Sequence, residues 1–204
     1  VELFESTKKC CDTCLSRVQR DGITHYFHRA VVCATVGSDP HIILGQEMLK
    51  PKNDSSEKDE GEITGSKRLI RKLYKQYHHF ADIIVADVLY CKSTWIKEVL
   101  SIGMDVVVRV KDERFHIVKD ALGLFKCRKA DKEWIIKEKC NEYRKIKAWD
   151  EDNFEMFDSD IKVRFIKFVD EIHTGDKVEV KEGWIVTTDK NITVETLYKI
   201  MHKR

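Results

Sequence analysis

Asp87 is the single charge in an otherwise apolar run. Ile83, Ile84, Val85 and Ala86 lead up to it in "DIIVADVLY", and Val88, Leu89 and Tyr90 follow. A carboxylate is tolerated in such a strand where the chain reaches the edge of the sheet, since a metal ion or water can compensate it there. In open α/β sheets ligands gather at the carboxyl ends of strands, which makes Asp87 the first candidate for chemistry. The plainer alternative is a strand-end aspartate that caps the turn after it. Arg109 and Lys111 share one face of the next strand, "DVVVRVKD", within reach of a phosphate beside that site. Snorkelling of two long cations at a sheet edge explains them equally well.

A second set of residues has the ligand types of a zinc site: Cys11-x2-Cys14, followed by His25-x2-His28. Buried thiols beside a surface histidine are the more ordinary reading of one CxxC with one HxxH. The odd separation of the two histidines also places them on opposite faces of a strand. Glu195 stands where a helix begins, and its preferred reading is a first-turn acid favoured by the helix dipole. Trp134, Trp149 and Trp184 are expected in the core of a β-rich region, with stacking on a distorted DNA end as the alternative for one of them.

The elements that would position these groups follow from periodicity. "HYFHRAVVCATVG" and "HIILGQEML" read as strands separated by the turn signal "GSDP". "KPKNDSSEKDEGE" is polar and nearly devoid of apolar residues, so it reads as a mobile loop. In "TGSKRLIRKLYKQY" one helical face carries Leu69, Ile70, Leu73, Tyr74 and Tyr77, with Thr64 or Ser66 as N-cap. The Asp87 strand follows, and its continuity predicts a central position covered on both faces. "STWIKEVLSIG" predicts a short helix capped by Ser93 and ending near Gly103, and "MDVVVRVKD" the next strand. From about Arg114 to Gly183 short alternating segments predict an antiparallel, β-rich unit, and "ITVETLYKIMHKR" begins a helix. An antiparallel meander that continues into strand–helix–strand units is a ribonuclease-H-like arrangement. The predicted architecture is therefore α/β: a mixed-sheet core formed by residues 1–113 and 184–204, with a β-rich insertion at 114–183.

Composition narrows the function classes. The chain has 204 residues, 42% of them hydrophobic and 35% charged, enough for a proper core. No apolar run approaches the roughly 18–20 residues of a membrane span. Seven scattered cysteines, including the adjacent pair Cys10–Cys11, argue against a disulfide framework and for a reducing, cytosolic setting. The net charge of +2 is unevenly spread: −3 over residues 1–65, +9 over 66–149 and −4 over 150–204. A basic middle around Asp87 suggests a polyanionic partner, although a solvated lysine-rich face reads the same way.

Taken in order, these segments resemble the DDE transposases of bacterial insertion sequences, in the branch with a β-rich insertion between the second aspartate and the glutamate. "VELFES" is similar to the tail of that family's first strand, "YFHRAVV" to its second, and "ILGQEMLKP…EGEITGSKRLIRKL" to its third strand and first helix. "DIIVADVLY" resembles the segment of the second catalytic aspartate, "DVVVRVKDE" the strand after it, and "GWIVTT" the return strand. "LYKIMHKR" resembles the start of the helix that continues as Arg-Trp-x-x-Glu. The resemblance implies a ribonuclease-H-like fold and strand cleavage and transfer at transposon ends. It also implies Mg²⁺ or Mn²⁺ as cofactor, DNA as partner, a homodimer of the full-length protein and a bacterial, nucleoid-associated location.

In that family two ions about 3.5–4 Å apart are held by clustered carboxylates and drive an in-line phosphodiester displacement. Asp87 is the implied catalytic and metal-binding residue. Arg204 fits the arginine of the family's Tyr-x2-Arg-x3-Glu signature, while Met201 stands at the tyrosine position. The first aspartate is expected just before Val1 and the glutamate four residues past Arg204, so the chain as it stands is expected not to cut DNA. A ribonuclease-H-like nuclease, and a remnant that binds DNA or protein without catalysis, are the competing expectations.

Overall fold

A computed structural model describes residues 1–37, 39–52, 58–110, 116–139, 142–156 and 159–202. The chain is mixed α/β and forms two compact units, Val1–Phe80 and Ala81–Arg204.

The first unit is antiparallel throughout. Strand β3 (Thr24–Ala34) pairs with β1 (Glu2–Ser6) and β2 (Leu15–Val18) over its first half, and with β4 (Ile43–Met48) over its second. β2 has only four residues and escapes the sequence reading, although the Asp21–Gly22 turn that joins it to β3 is a strong hairpin signal. Gly22 adopts φ +80°, and Asp21 Oδ1 accepts from the Ile23 N–H at 2.9 Å. Helix α1 (Glu62–Tyr77) buries Leu69, Ile70 and Leu73, as the periodicity predicts, while Tyr74 and Tyr77 of the same predicted face are exposed. Its cap differs. The helix starts two residues before Thr64 with Gly61 as N-cap, and Ser66 is an interior residue whose hydroxyl donates to the Ile63 carbonyl at 2.8 Å. Leu69 and Leu73 pack with Leu15, Phe27, Val31 and Leu49 into one apolar cluster. Arg68 ties α1 to β4 by donating to Glu47 at 2.6 Å and to the Met48 carbonyl at 2.9 Å. It also pairs with Glu60, and both carboxyls are held below their usual range by those hydrogen bonds.

The second unit is a six-stranded mixed sheet in the order β5-β6-β10-β9-β8-β7. β5 (Ile83–Ala86) runs parallel to β6 (Asp105–Val110), and the crossover between them contains a 3-10 turn (Val88–Tyr90) and α2 (Ser93–Ser101). β7 (Lys132–Lys139), β8 (Glu142–Glu155), β9 (Lys162–Thr174) and β10 (Lys177–Thr187) form an antiparallel meander that returns against β6. The cap of α2 is Lys92, one residue before the predicted Ser93, and Gly103 at φ +78° closes the helix as expected.

Three differences from the sequence reading matter for the site. The Asp87 strand is not central: β5 pairs only with β6 among the described residues, so it is an end strand of its sheet. A short apolar run reads alike at an edge and in the middle, since pairing is non-local. The β-rich region also contains a helix, α3 (His116–Phe125), with Val118, Ala121 and Phe125 buried at helical spacing. Finally, the meander is hydrogen-bonded into the same sheet as β5 and β6 through the β10–β6 pairing of Trp184 with Val110 and Thr187 with Val107.

Helix α4 (Val194–His202) lies on this sheet, with Val194, Leu197 and Tyr198 packed against Val107, Ile146, Ile166, Phe168 and Ile185. A Cβ at Gly183 would stand 2.8 Å from Met201 Sδ, so glycine permits the helix to approach β10. Beneath the helix Asp170, 3% exposed, accepts at Oδ2 from the Tyr198 hydroxyl at 2.8 Å and from Arg144 at 3.1 Å. Burial, together with the Asp170 carboxylate, pushes the Tyr198 hydroxyl well above its ordinary range, so it stays a donor. Tyr198→Phe removes that donor together with the hydroxyl's contact to Arg144, leaving a buried carboxylate short of a partner. The expected loss is about 1.5–3 kcal/mol of stability, read from urea denaturation, and an unchanged midpoint would contradict the role given to this bond.

Candidate functional site

Asp87 follows directly on the carboxyl end of β5, half-buried, where the extended strand gives way to the 3-10 turn. Its Oδ1 accepts from the Val88 N–H, so the side chain caps that turn. The parallel register ends with Ala86 paired to Val108, the residue before Arg109 in β6. Arg109 is half-buried, and its Nε is enclosed with no hydrogen-bond partner among the described residues. Lys111 and Arg204, the other two predicted DNA contacts, lie outside the described residues. Cys91, just past the turn, is a poor nucleophile, because burial pushes its thiol up to about 11.

A hard divalent cation needs several oxygen ligands. Among the described residues Asp87 belongs to no group of three or more metal-ligating side chains. The residues present at this position therefore do not by themselves fit Mg²⁺, and no chemical step is assigned to a metal there. Glu195 is in the first turn of α4, where the dipole reading puts it, and pairs with Lys132 of β7. Trp184 is buried. Trp134 packs edge-on to Tyr198 against the main cluster, and Trp149 donates to the Arg128 carbonyl at 2.9 Å.

The Cys/His set is resolved differently from its sequence reading. The turn Cys11–Cys14 closes with a 3.4 Å bond from the Cys14 N–H to the Cys11 carbonyl, which brings the two sulfurs to the same side. Leu15 pairs with Phe27, so the same antiparallel register sets Cys14 opposite His28. Cys11 Sγ lies 3.6 Å from Cys14 Sγ, and His28 Nε2 lies 3.5 and 3.7 Å from the two sulfurs. His25 falls on the other face, as its odd separation requires, and pairs with Glu5 at 3.1 Å. The sequence reading passed over Cys10, whose Sγ is 3.9 Å from that of Cys14. The doublet beside a CxxC was the available signal. Cys14 is buried, which raises its thiol pKa, but backbone N–H groups of Cys10 and Cys11 outweigh this and hold it below the usual value.

No family model matches the chain, and no curated protein is significantly similar to it. Among the described residues no helix is long and apolar enough to cross a membrane.

The Glu195–Lys132 pair supplies a direct check on the assignment of that acid. Its hydrogen bond to Lys132 holds the Glu195 carboxyl below the usual range, so its stabilisation is present above the unfolded-state pKa and lost as pH falls through the lowered folded value. Since Glu195 is about one-third exposed and Lys132 about half, Glu195→Gln should cost under about 1 kcal/mol at pH 7. The difference from the parent should vanish in acid. Urea midpoints measured across pH test this, and a difference that grows as pH falls would contradict it.

Proposed function

We propose that the chain is catalytic-core sequence of a DDE-type insertion-sequence transposase, built on a ribonuclease-H-like plan and acting on DNA. The substrates are transposon ends and target, the reaction is strand cleavage and transfer, and Mg²⁺ or Mn²⁺ is the cofactor. One observation carries the reading: in the segment whose residues resemble the family's second aspartate region, Asp87 emerges from the carboxyl end of a strand that is parallel to its neighbour. That is where open α/β sheets present ligand-binding side chains. Arg109, with Lys111 and Arg204, supplies cations for the DNA backbone, whose contacts position the duplex without reading its sequence. The setting is a bacterial cytoplasm, at the nucleoid, and the active form is a homodimer.

Asp87 is the one carboxylate assigned to the site, and a hard divalent cation needs several oxygen ligands. The resemblance implies two further carboxylates beside it, and the proposed reaction requires all three. A second reading, a remnant that binds DNA or protein without catalysis, is favoured by one observation: the Asp87 carboxylate already serves as the cap of the turn after it.

The test is cleavage and strand transfer on terminal-repeat DNA by a longer chain that carries all three, with circular dichroism as a check on folding. Asp87→Asn keeps the shape and removes the anionic ligand, so activity should fall to background in a folded protein, while Glu195→Gln should retain most of it. Full activity in folded Asp87→Asn would overturn the site. A longer chain that is inactive with either ion and still binds DNA would favour the remnant.

A further inference from the structure

We infer that Cys11, Cys14 and His28, closed by Cys10, form a structural zinc site in the first unit. The inference stands apart from the proposed function, since it uses none of the residues assigned to DNA chemistry.

The distances carry it. Tetrahedral zinc with Zn–S near 2.3 Å and Zn–N near 2.0–2.1 Å separates its ligands by about 3.8 Å for S···S and about 3.5–3.6 Å for S···N. The observed triangle is 3.6 Å for Cys11 Sγ to Cys14 Sγ, with 3.5 and 3.7 Å from these sulfurs to His28 Nε2. All three atoms lie within 4.8 Å of one another, and this is the sole group of three or more such ligands among the described residues. Thiol hydrogen bonding explains the triangle less well. Nε2 carries either one proton or one lone pair, so it cannot serve two sulfurs equally, whereas a cation between the three atoms satisfies all of them. Both sulfurs are free thiols, and 3.6 Å is far longer than a disulfide.

The fourth ligand is Cys10. Its Sγ is 3.9 Å from Cys14 Sγ, close to the tetrahedral value, although it stands outside the mutual triangle. A side-chain rotation of this exposed residue completes a Cys3His set, and four protein ligands make the site structural rather than catalytic. The metal would then join three pieces of chain: the β1–β2 connection through Cys10 and Cys11, the residue entering β2 through Cys14, and the middle of β3 through His28. Cys14 and His28 are the chain neighbours of Leu15 and Phe27, members of the unit's apolar cluster, so metal binding there couples to folding.

The experiment is metal analysis of the untagged, reduced 204-residue chain, followed by replacement of zinc with Co²⁺. One zinc per chain is expected, with tetrahedral visible bands and a thiolate-to-cobalt charge-transfer band of three-thiolate intensity. Cys14→Ser and His28→Ala should lose the zinc, and His25→Ala should keep it. Cys10→Ser should drop the charge-transfer intensity to that of two thiolates. His28→Cys should retain the metal and raise the intensity to four thiolates, which separates lost ligation from lost folding. Absence of stoichiometric zinc from the parent chain, an octahedral cobalt spectrum, or zinc retained in His28→Ala would overturn the site. Unchanged intensity in Cys10→Ser would overturn Cys10 as the closing ligand.

Discussion

The second unit depends on how β6 is paired. Val106, Val107, Val108 and Val110 are almost wholly buried, and the strand has a parallel neighbour on one side and an antiparallel one on the other. The parallel side forces a crossover, which α2 supplies, and it points the carboxyl ends of β5 and β6 in the same direction. The antiparallel side admits the whole meander, from β10 back to β7. Thr187 and Thr188 reinforce the seam, through a 2.7 Å bond from the Thr187 hydroxyl to the Val106 carbonyl and a 2.6 Å bond from the Thr188 hydroxyl to Asp105. Asp87 follows the end of β5 beside the carboxyl end of β6 only because this one pair of strands is parallel.

That seam also explains what was readable in advance. Elements with a strong local signal were legible: the valines of β6, the strand β3, the Leu69, Ile70 and Leu73 face of α1, and the Gly103 stop of α2. The position of β5 was not, because four apolar residues look the same at a sheet's end as in its middle. Helix α3 was hidden among alternating segments, although Val118, Ala121 and Phe125 are spaced for one helical face. Strand β2 was too short to show a period and is held by its pairing with β3.

The candidate sites divide along the same line. Asp87 stands out in the sequence because a charge in an apolar run is conspicuous, yet among the described residues it joins no group of three metal-ligating side chains. The cysteine and histidine pairs of the first unit were visible as residue types, but not which atoms meet: His28 lies beside both sulfurs, while His25 and Cys10 stand outside that triangle. Strand register settles both histidines: an odd separation turns His25 toward Glu5, and the β2–β3 pairing sets His28 opposite Cys14. Spacing alone conveys the ligand chemistry, and only pairing across strands conveys which atoms meet.

The central claim is that the carboxyl end of β5 is a divalent-cation position once further carboxylates accompany Asp87. Diffraction at a wavelength sensitive to manganese, from Mn²⁺-soaked crystals of a chain carrying those carboxylates, addresses it most directly. The account predicts an anomalous peak at roughly 2.0–2.3 Å from an Asp87 carboxylate oxygen, shared with at least one other carboxylate. A fully ordered Asp87 that still caps Val88, with no anomalous density beside it, would contradict the account.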